Sequence, residues 1–234
     1  MKTKREKIET FSLPDLSTLT LKQCFILIVI TTVSFLSLKI KGLPYIVIAC
    51  FFTIPMILGL LVLNKDAAKK LIRFPKGRDL LYGFGFVLPS LILSITSTAL
   101  LNNLGIIQLP KSNIIIDQLV NDLLFTLIGT SIQLFGEEML TLIIFLFVMK
   151  LWEYFFSFTK GGIIAGFFLS SLVFGAVHYP TYSSWAHVLL SISLGRLLDN
   201  FVFLRTKNLT ASYLSHLIFD FILFGISIFS TLPS

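Results

Sequence analysis

Residues 117–150 read DQLVNDLLFTLIGTSIQLFGEEMLTLIIFLFVMK. How this stretch meets its solvent decides the fold. As a straight helix it would reach roughly 50 Å at 1.5 Å per residue. About 20 mainly apolar residues suffice to cross the hydrocarbon core of a bilayer. One upright span would be overshot. Gly129, Ser131 and Gly136 offer break points. The expectation is therefore a broken run: an interfacial or partial helix followed by a span, or two short spans.

Six more apolar runs flank it, at about 22–40, 43–64, 80–102, 162–179, 184–204 and 208–230. Backbone groups in lipid must be satisfied within the segment, so these runs are helices. The fold class is all-α: a polytopic transmembrane helical bundle with seven to eight membrane helices. A cytoplasmic N-terminal segment, 1–21, precedes a single transmembrane domain, 22–230. No polar stretch is long enough to build a soluble second domain. Composition agrees, with 55% apolar residues, 24 Phe and only 13% charged residues. A soluble domain needs more charge to cover its surface. The first run has no small-residue cleavage pattern and reads as a retained span. Cys24 and Cys50 fall in apolar runs and read as small buried hydrophobes.

The net charge is +7, but the cations sit at span ends and in loops. The partner they imply is the lipid bilayer, not nucleic acid. Lys2, Lys4, Arg5 and Lys7 precede the first span. Lys65, Lys69, Lys70, Arg73, Lys76 and Arg78 follow the second, and Arg205 and Lys207 precede the last. Seven spans put all of these on one side, which the positive-inside rule makes cytoplasmic together with the N-terminus. Lys39, Lys41 and Lys111 oppose them. Eight spans would move Lys150, Lys160, Arg205 and Lys207 outside, so charge favours seven. The stretch 65–79 reads as a short cytoplasmic loop with a turn at Lys76-Gly77, the alternative being a basic amphipathic stretch on the membrane surface.

An ionisable side chain in hydrocarbon is costly and is a functional hypothesis by default. The candidates are Glu137, Glu138, His178, His187, Arg196, Asp199, His216 and Asp220, all in the second half. Adjacent helix positions differ by about 100° in direction, so Glu137 and Glu138 cannot do the same job. His216 and Asp220 are i, i+4 and share a helical face; the carboxylate can fix the imidazole tautomer. Arg196 and Asp199 are i, i+3 and can neutralise each other, or Arg196 can pair with a glutamate. His187, beside Trp185, reads as interfacial. Acids and histidines on several helices can activate a water directly or hold a metal whose bound water attacks. The residues alone define a hydrolytic or proton-handling site in the membrane. A small proton-coupled carrier also fits them, although no repeat relates the two halves.

The order of elements is more specific. Glu137-Glu138, then Phe174-x-x-x-His178, then His216-x-x-x-Asp220 resembles the CAAX-protease and bacteriocin-processing family (CPBP, or Abi). The resemblance spans roughly residues 125–225, within a core of about 117–230. Leu194-Gly195 and Arg205-Thr206-Lys207-Asn208-Leu209 resemble that family's Leu-Gly and Arg-Thr-Gly-Asn-Leu stretches. The resemblance implies an intramembrane endopeptidase using glutamate- and histidine-activated water. Glu137 would be the general base and Glu138 its orienter. His178 and His216 would position water and stabilise the oxyanion, with Asp220, Phe174 and Arg196 in support. The family is usually labelled metalloprotease, which makes Glu137, His178 and His216 candidate ligands for a divalent metal such as zinc. Implied substrates are membrane-embedded or lipidated peptides: prenylated CAAX-type tails, bacteriocin leaders or signalling peptides. They would arrive laterally from the cell membrane. One departure stands out. The family motif is Glu-Glu-x-x-x-Arg, and Leu142 occupies the arginine position. Arg196 is the candidate substitute from a neighbouring span. Without one, the alternative is a non-catalytic bacteriocin-immunity or peptide-binding membrane protein.

Overall fold

The computed structural model describes residues 18–107 and 123–231. Lys2, Lys4, Arg5, Lys7, Lys111 and the first residues of the 117–150 run lie outside the described residues. The described elements are α1 (Leu21–Leu36, continued by a 3-10 turn to Lys39), α2 (Tyr45–Leu63), α3 (Lys65–Leu71), α4 (Gly77–Asn103) and α5 (Leu123–Phe156). There follow α6 (Thr159–Val177), α7 (Tyr179–Tyr182), α8 (Trp185–His187), a π-helical turn (Val188–Ile192), α9 (Ser193–Thr206) and α10 (Leu209–Thr231). No strand occurs among the described residues. Seven helical segments there are long and apolar enough to cross a membrane, α8 to α9 counting as one. The chain is an all-α polytopic bundle.

The expected break in the long run is not there. Residues Leu123–Phe156 form one continuous helix of 34 residues. Its small residues serve packing. A Cβ at Gly129 would stand 2.7 Å from the Tyr45 ring, and one at Gly136 would meet Thr53 and Phe52 at 2.7 Å or closer. Ser131 donates back to the Leu127 carbonyl at 2.8 Å. In lipid, the backbone hydrogen bonds of a helix have no water to compete for them, so glycine costs little there and admits a neighbour closely.

α5 is the axis of the molecule. It packs most extensively on α6 and α2, and also touches α1 and α10. Ser157, at φ 55°, reverses the chain between α5 and α6. Two glycines of α6 then let the backbones close up: a Cβ at Gly162 would lie 2.8 Å from the Met149 carbonyl oxygen, and one at Gly166 would lie 2.9 Å from that of Phe145. This is the small-xxx-small packing of membrane helices.

The segment after α2 is more than the loop expected. Asn64 caps α3, accepting from the Ala67 N–H at 2.9 Å. Ala67, Ala68 and Leu71 are buried against the bundle, while Lys65 and Lys69 face outward. Beyond it, Asp79 holds three parts together. It accepts from Arg73 at 2.7 Å, from Asn208 at 3.2 Å and from the Lys76 N–H at 3.1 Å. Arg73 also donates to the Thr206 carbonyl at 3.0 Å. The α9–α10 turn is thus tied to the start of α4.

Candidate active site

The four candidate residues reach one region from three helices. Glu137 and Glu138 project from the middle of α5. His178 follows the last residue of α6, and His216 sits on α10. α5 and α6 form an antiparallel hairpin, and α6 has 19 residues. Counting 19 residues back from Phe156 arrives at Glu137. The end of α6 is therefore level with the glutamates without any break in α5.

The two glutamates live in different surroundings. Glu138 is fully buried. Its Oε1 accepts from Arg196 Nη1 and from His216 Nδ1 at 2.9 Å, and its Oε2 accepts from Ser212 at 2.6 Å. Arg196 Nη1 lies 3.3 Å from the same His216 nitrogen and 4.0 Å from Asp199. The guanidinium also stacks over the Phe174 ring at 4.7 Å. Both Glu138 oxygens are committed, and one partner is a cation. Removing one member of such a buried pair costs about 3–5 kcal/mol, because the other charge is left uncompensated.

Glu137 is partly open, with its side chain 12% exposed against 23% for His178. Gln133, one turn earlier, donates to Glu137 Oε1 at 2.9 Å. The other oxygen, Oε2, faces His178 Nε2 at 3.9 Å. That gap is too long for a direct hydrogen bond, and it suits a bridging water. The tautomer of His178 follows from its other nitrogen. Nδ1 is 2.7 Å from the Phe174 carbonyl oxygen. A carbonyl only accepts, so Nδ1 carries the proton, and Nε2 of the neutral ring is an acceptor.

The same reasoning applies to His216. Its Nδ1 faces a carboxylate and must donate to it. Glu138 therefore fixes this tautomer. Asp220, expected in that role, stands 3.8 Å from Nε2 on the far side of the ring. Phe174 joins the two halves of the site, with ring centroids 4.6 Å from His178 and 6.0 Å from His216. His187 is not part of the site. It is buried in the protein and packs on Tyr182 at 4.5 Å between ring centroids.

The expected metal set does not converge. Glu137 and His178 face each other, while His216 binds Glu138. The trio that does come together is Glu138, Asp199 and His216, each offering an atom within 4.8 Å of the others. Such a trio could hold a metal ion. However, the Arg196 guanidinium already engages Glu138 and lies against His216 and Asp199. A metal would have to displace it.

Sequence reasoning missed Ser212, Gln133 and the part played by Asp199. The first two were within reach of a simple test. Ser212 is four residues before His216 and Gln133 four before Glu137, so each shares a helical face with a candidate site residue.

Residues 119–222 match the model of the Rce1-like family, described as type II CAAX prenyl endopeptidase Rce1-like. Over this stretch, somewhat under half of its length, the chain is similar to this CAAX-protease family. The matched stretch contains Glu137, Glu138, His178, Arg196, His216 and Asp220. No curated protein and no solved structure matches the chain. Within the family frame, the Leu142 departure has a structural counterpart. Leu142 and Arg196 line the same small cavity beside Glu138, of about 10 Å³. The guanidinium reaches Glu138 from α9, where the family motif has an arginine on the glutamates' own helix.

Proposed function

We propose that the protein is an intramembrane endopeptidase in which Glu137 and His178 activate the attacking water. The observation that carries this reading is the pair of acceptors facing across 3.9 Å. A water between Glu137 Oε2 and the bare His178 Nε2 would donate one hydrogen to each. Its lone pairs would then be free to attack a peptide carbonyl. Glu137 takes the proton as the bond forms and returns it to the leaving amine. The buried set of Glu138, Arg196 and Ser212 holds His216 with Nε2 turned toward Asp220 and the open side. From there His216 can donate to the developing oxyanion once protonated. No step passes through a metal.

The substrate class is a membrane-associated peptide or protein entering from the bilayer. Prenylated CAAX-type tails, bacteriocin leaders and signalling peptides are all of this kind. The similarity of residues 119–222 to the Rce1-like family supports the reaction class.

The test is hydrolysis of a fluorogenic prenylated peptide by purified protein in proteoliposomes. Glu137→Gln and His178→Gln should each lower kcat by roughly a hundredfold or more, with unfolding temperature in detergent unchanged. Undiminished turnover by Glu137→Gln would exclude glutamate-activated water. Peptide binding without turnover by the wild-type protein would favour the immunity or peptide-binding alternative.

A further inference from the structure

Glu137 is one end of a hydrogen-bond chain that starts in the other half of the molecule. Tyr45 Oη, on α2, lies 3.0 Å from Gln133 Oε1 and donates to it. Gln133 Nε2 lies 2.9 Å from Glu137 Oε1. The direction of this chain is fixed at both ends. A carboxylate can only accept, so Gln133 must present its NH₂ to Glu137. Its carbonyl oxygen then faces Tyr45 and needs a donor, which the phenol supplies. Thr130 Oγ1, at 3.4 Å from the phenol oxygen, completes its surroundings.

The ring of Tyr45 has a seat of its own. It lies on the bare backbone at Gly129, where a Cβ would come within 2.7 Å of Cδ1 and 2.9 Å of Cε1. Gly129, Gln133 and Glu137 are four residues apart along α5, on one face. One face of the helix thus carries the seat, the amide and the carboxylate in line.

We infer that Tyr45 and Gln133 are positioning residues that lock the Glu137 carboxylate with Oε1 occupied and Oε2 turned to His178. This rests on the reading of Glu137 as general base. Without the phenol, the Gln133 amide is free to rotate and offer its oxygen to Glu137, and the carboxylate loses its fixed orientation. Bond making in the transition state suffers, whereas peptide binding elsewhere in the site does not.

The experiment compares Tyr45→Phe, Gln133→Leu and Glu137→Gln in the prenylated-peptide assay, alongside wild-type protein. Tyr45→Phe keeps the ring on Gly129 and removes only the hydroxyl. Gln133→Leu should lower kcat by roughly ten- to a hundredfold, as expected for a lost hydrogen bond to a charged group, and Tyr45→Phe, which loses a bond between neutral groups, by roughly three- to tenfold. KM should stay within about twofold, the signature of an interaction made at the transition state. Gln133→Asn, whose shorter amide cannot span both partners, should resemble Gln133→Leu. Wild-type kcat in Tyr45→Phe, with Glu137→Gln inactive, would overturn the positioning role and leave the base assignment standing. Full activity in Glu137→Gln would overturn both. A fall in kcat/KM carried by KM alone would also overturn the inference.

Discussion

At the residue scale the site turns on one substitution of place. Arg196 stands where charge is needed beside Glu138, and Leu142 lines the same small cavity without charge. The two positions should therefore be interchangeable only as a pair. Arg196→Leu alone strands Glu138 in a fully buried position and should cost about 3–5 kcal/mol of stability. Leu142→Arg alone puts a second guanidinium into a cavity with room for about one water, and should be comparably damaging. The combined Leu142→Arg and Arg196→Leu variant should recover most of the stability and turnover. Thermal unfolding and peptide hydrolysis of the four proteins read out this cycle, and additive losses in the double variant would show that the positions are not equivalent. Much of the candidate cluster was legible at this scale, because Glu137, Glu138, His178 and His216 are costly residues for lipid and stand out. Their division of labour was not. It depends on which carboxylate Arg196 reaches and which nitrogen of each histidine faces a pure acceptor, and neither follows from spacing along the chain.

At the scale of elements, the depth of Glu137 was the difficulty. Measured from the start of the apolar run, it lies on the wrong side of the membrane from His178. Measured back from the α5–α6 turn, it lies level with it. The sequence shows both ends of the run and does not say which is anchored. The anchor is the close contact of α6 with α5, made possible by Gly162 and Gly166. Gly166→Val should therefore act at a distance. Its side chain would push against the Phe145 carbonyl and force the hairpin apart. The expected outcome is a loss of about 1–3 kcal/mol with turnover reduced together with it, measured by unfolding in detergent and peptide hydrolysis. A variant as stable and active as wild type would mean that the hairpin is registered elsewhere. Gly129 and Gly136 looked like break points for a related reason. Glycine is a weak helix former in water, but in a bundle within lipid its lack of a side chain is spent on neighbours such as Tyr45 and Phe52.

For the whole molecule, the seven candidate crossings among the described residues would put the basic α3 segment, the α5–α6 turn and the α9–α10 turn on one side. Lys39, Lys41 and the 178–184 loop fall on the other. We propose that the basic side is cytoplasmic. A membrane-impermeant maleimide added to intact cells should then label Ser183→Cys and spare Ser157→Cys, in a background free of Cys24 and Cys50. The reverse pattern would invert the protein. The seven candidate crossings among the described residues fall within the seven to eight read from apolar runs, and charge favoured the lower number. The packing was not, because a run shows that a helix is apolar, not which neighbour it meets. The unequal lengths of these crossings carry one more consequence. α2 and α6 have 19 residues each and lie against α5 with 34. Helices so different cannot all match a lipid film of uniform thickness. Nineteen residues reach about 28 Å, slightly short of a core of about 30 Å, so lipid beside the short pair would be thinned a little, while α5 leans or emerges. The protein would thus carry a dimple in the membrane next to its own site, bringing headgroups and water nearer to Glu137. Thin bilayers supply that deformation in advance. Initial rates in proteoliposomes should fall as the acyl chains of the host lipid lengthen, at constant headgroup and protein density.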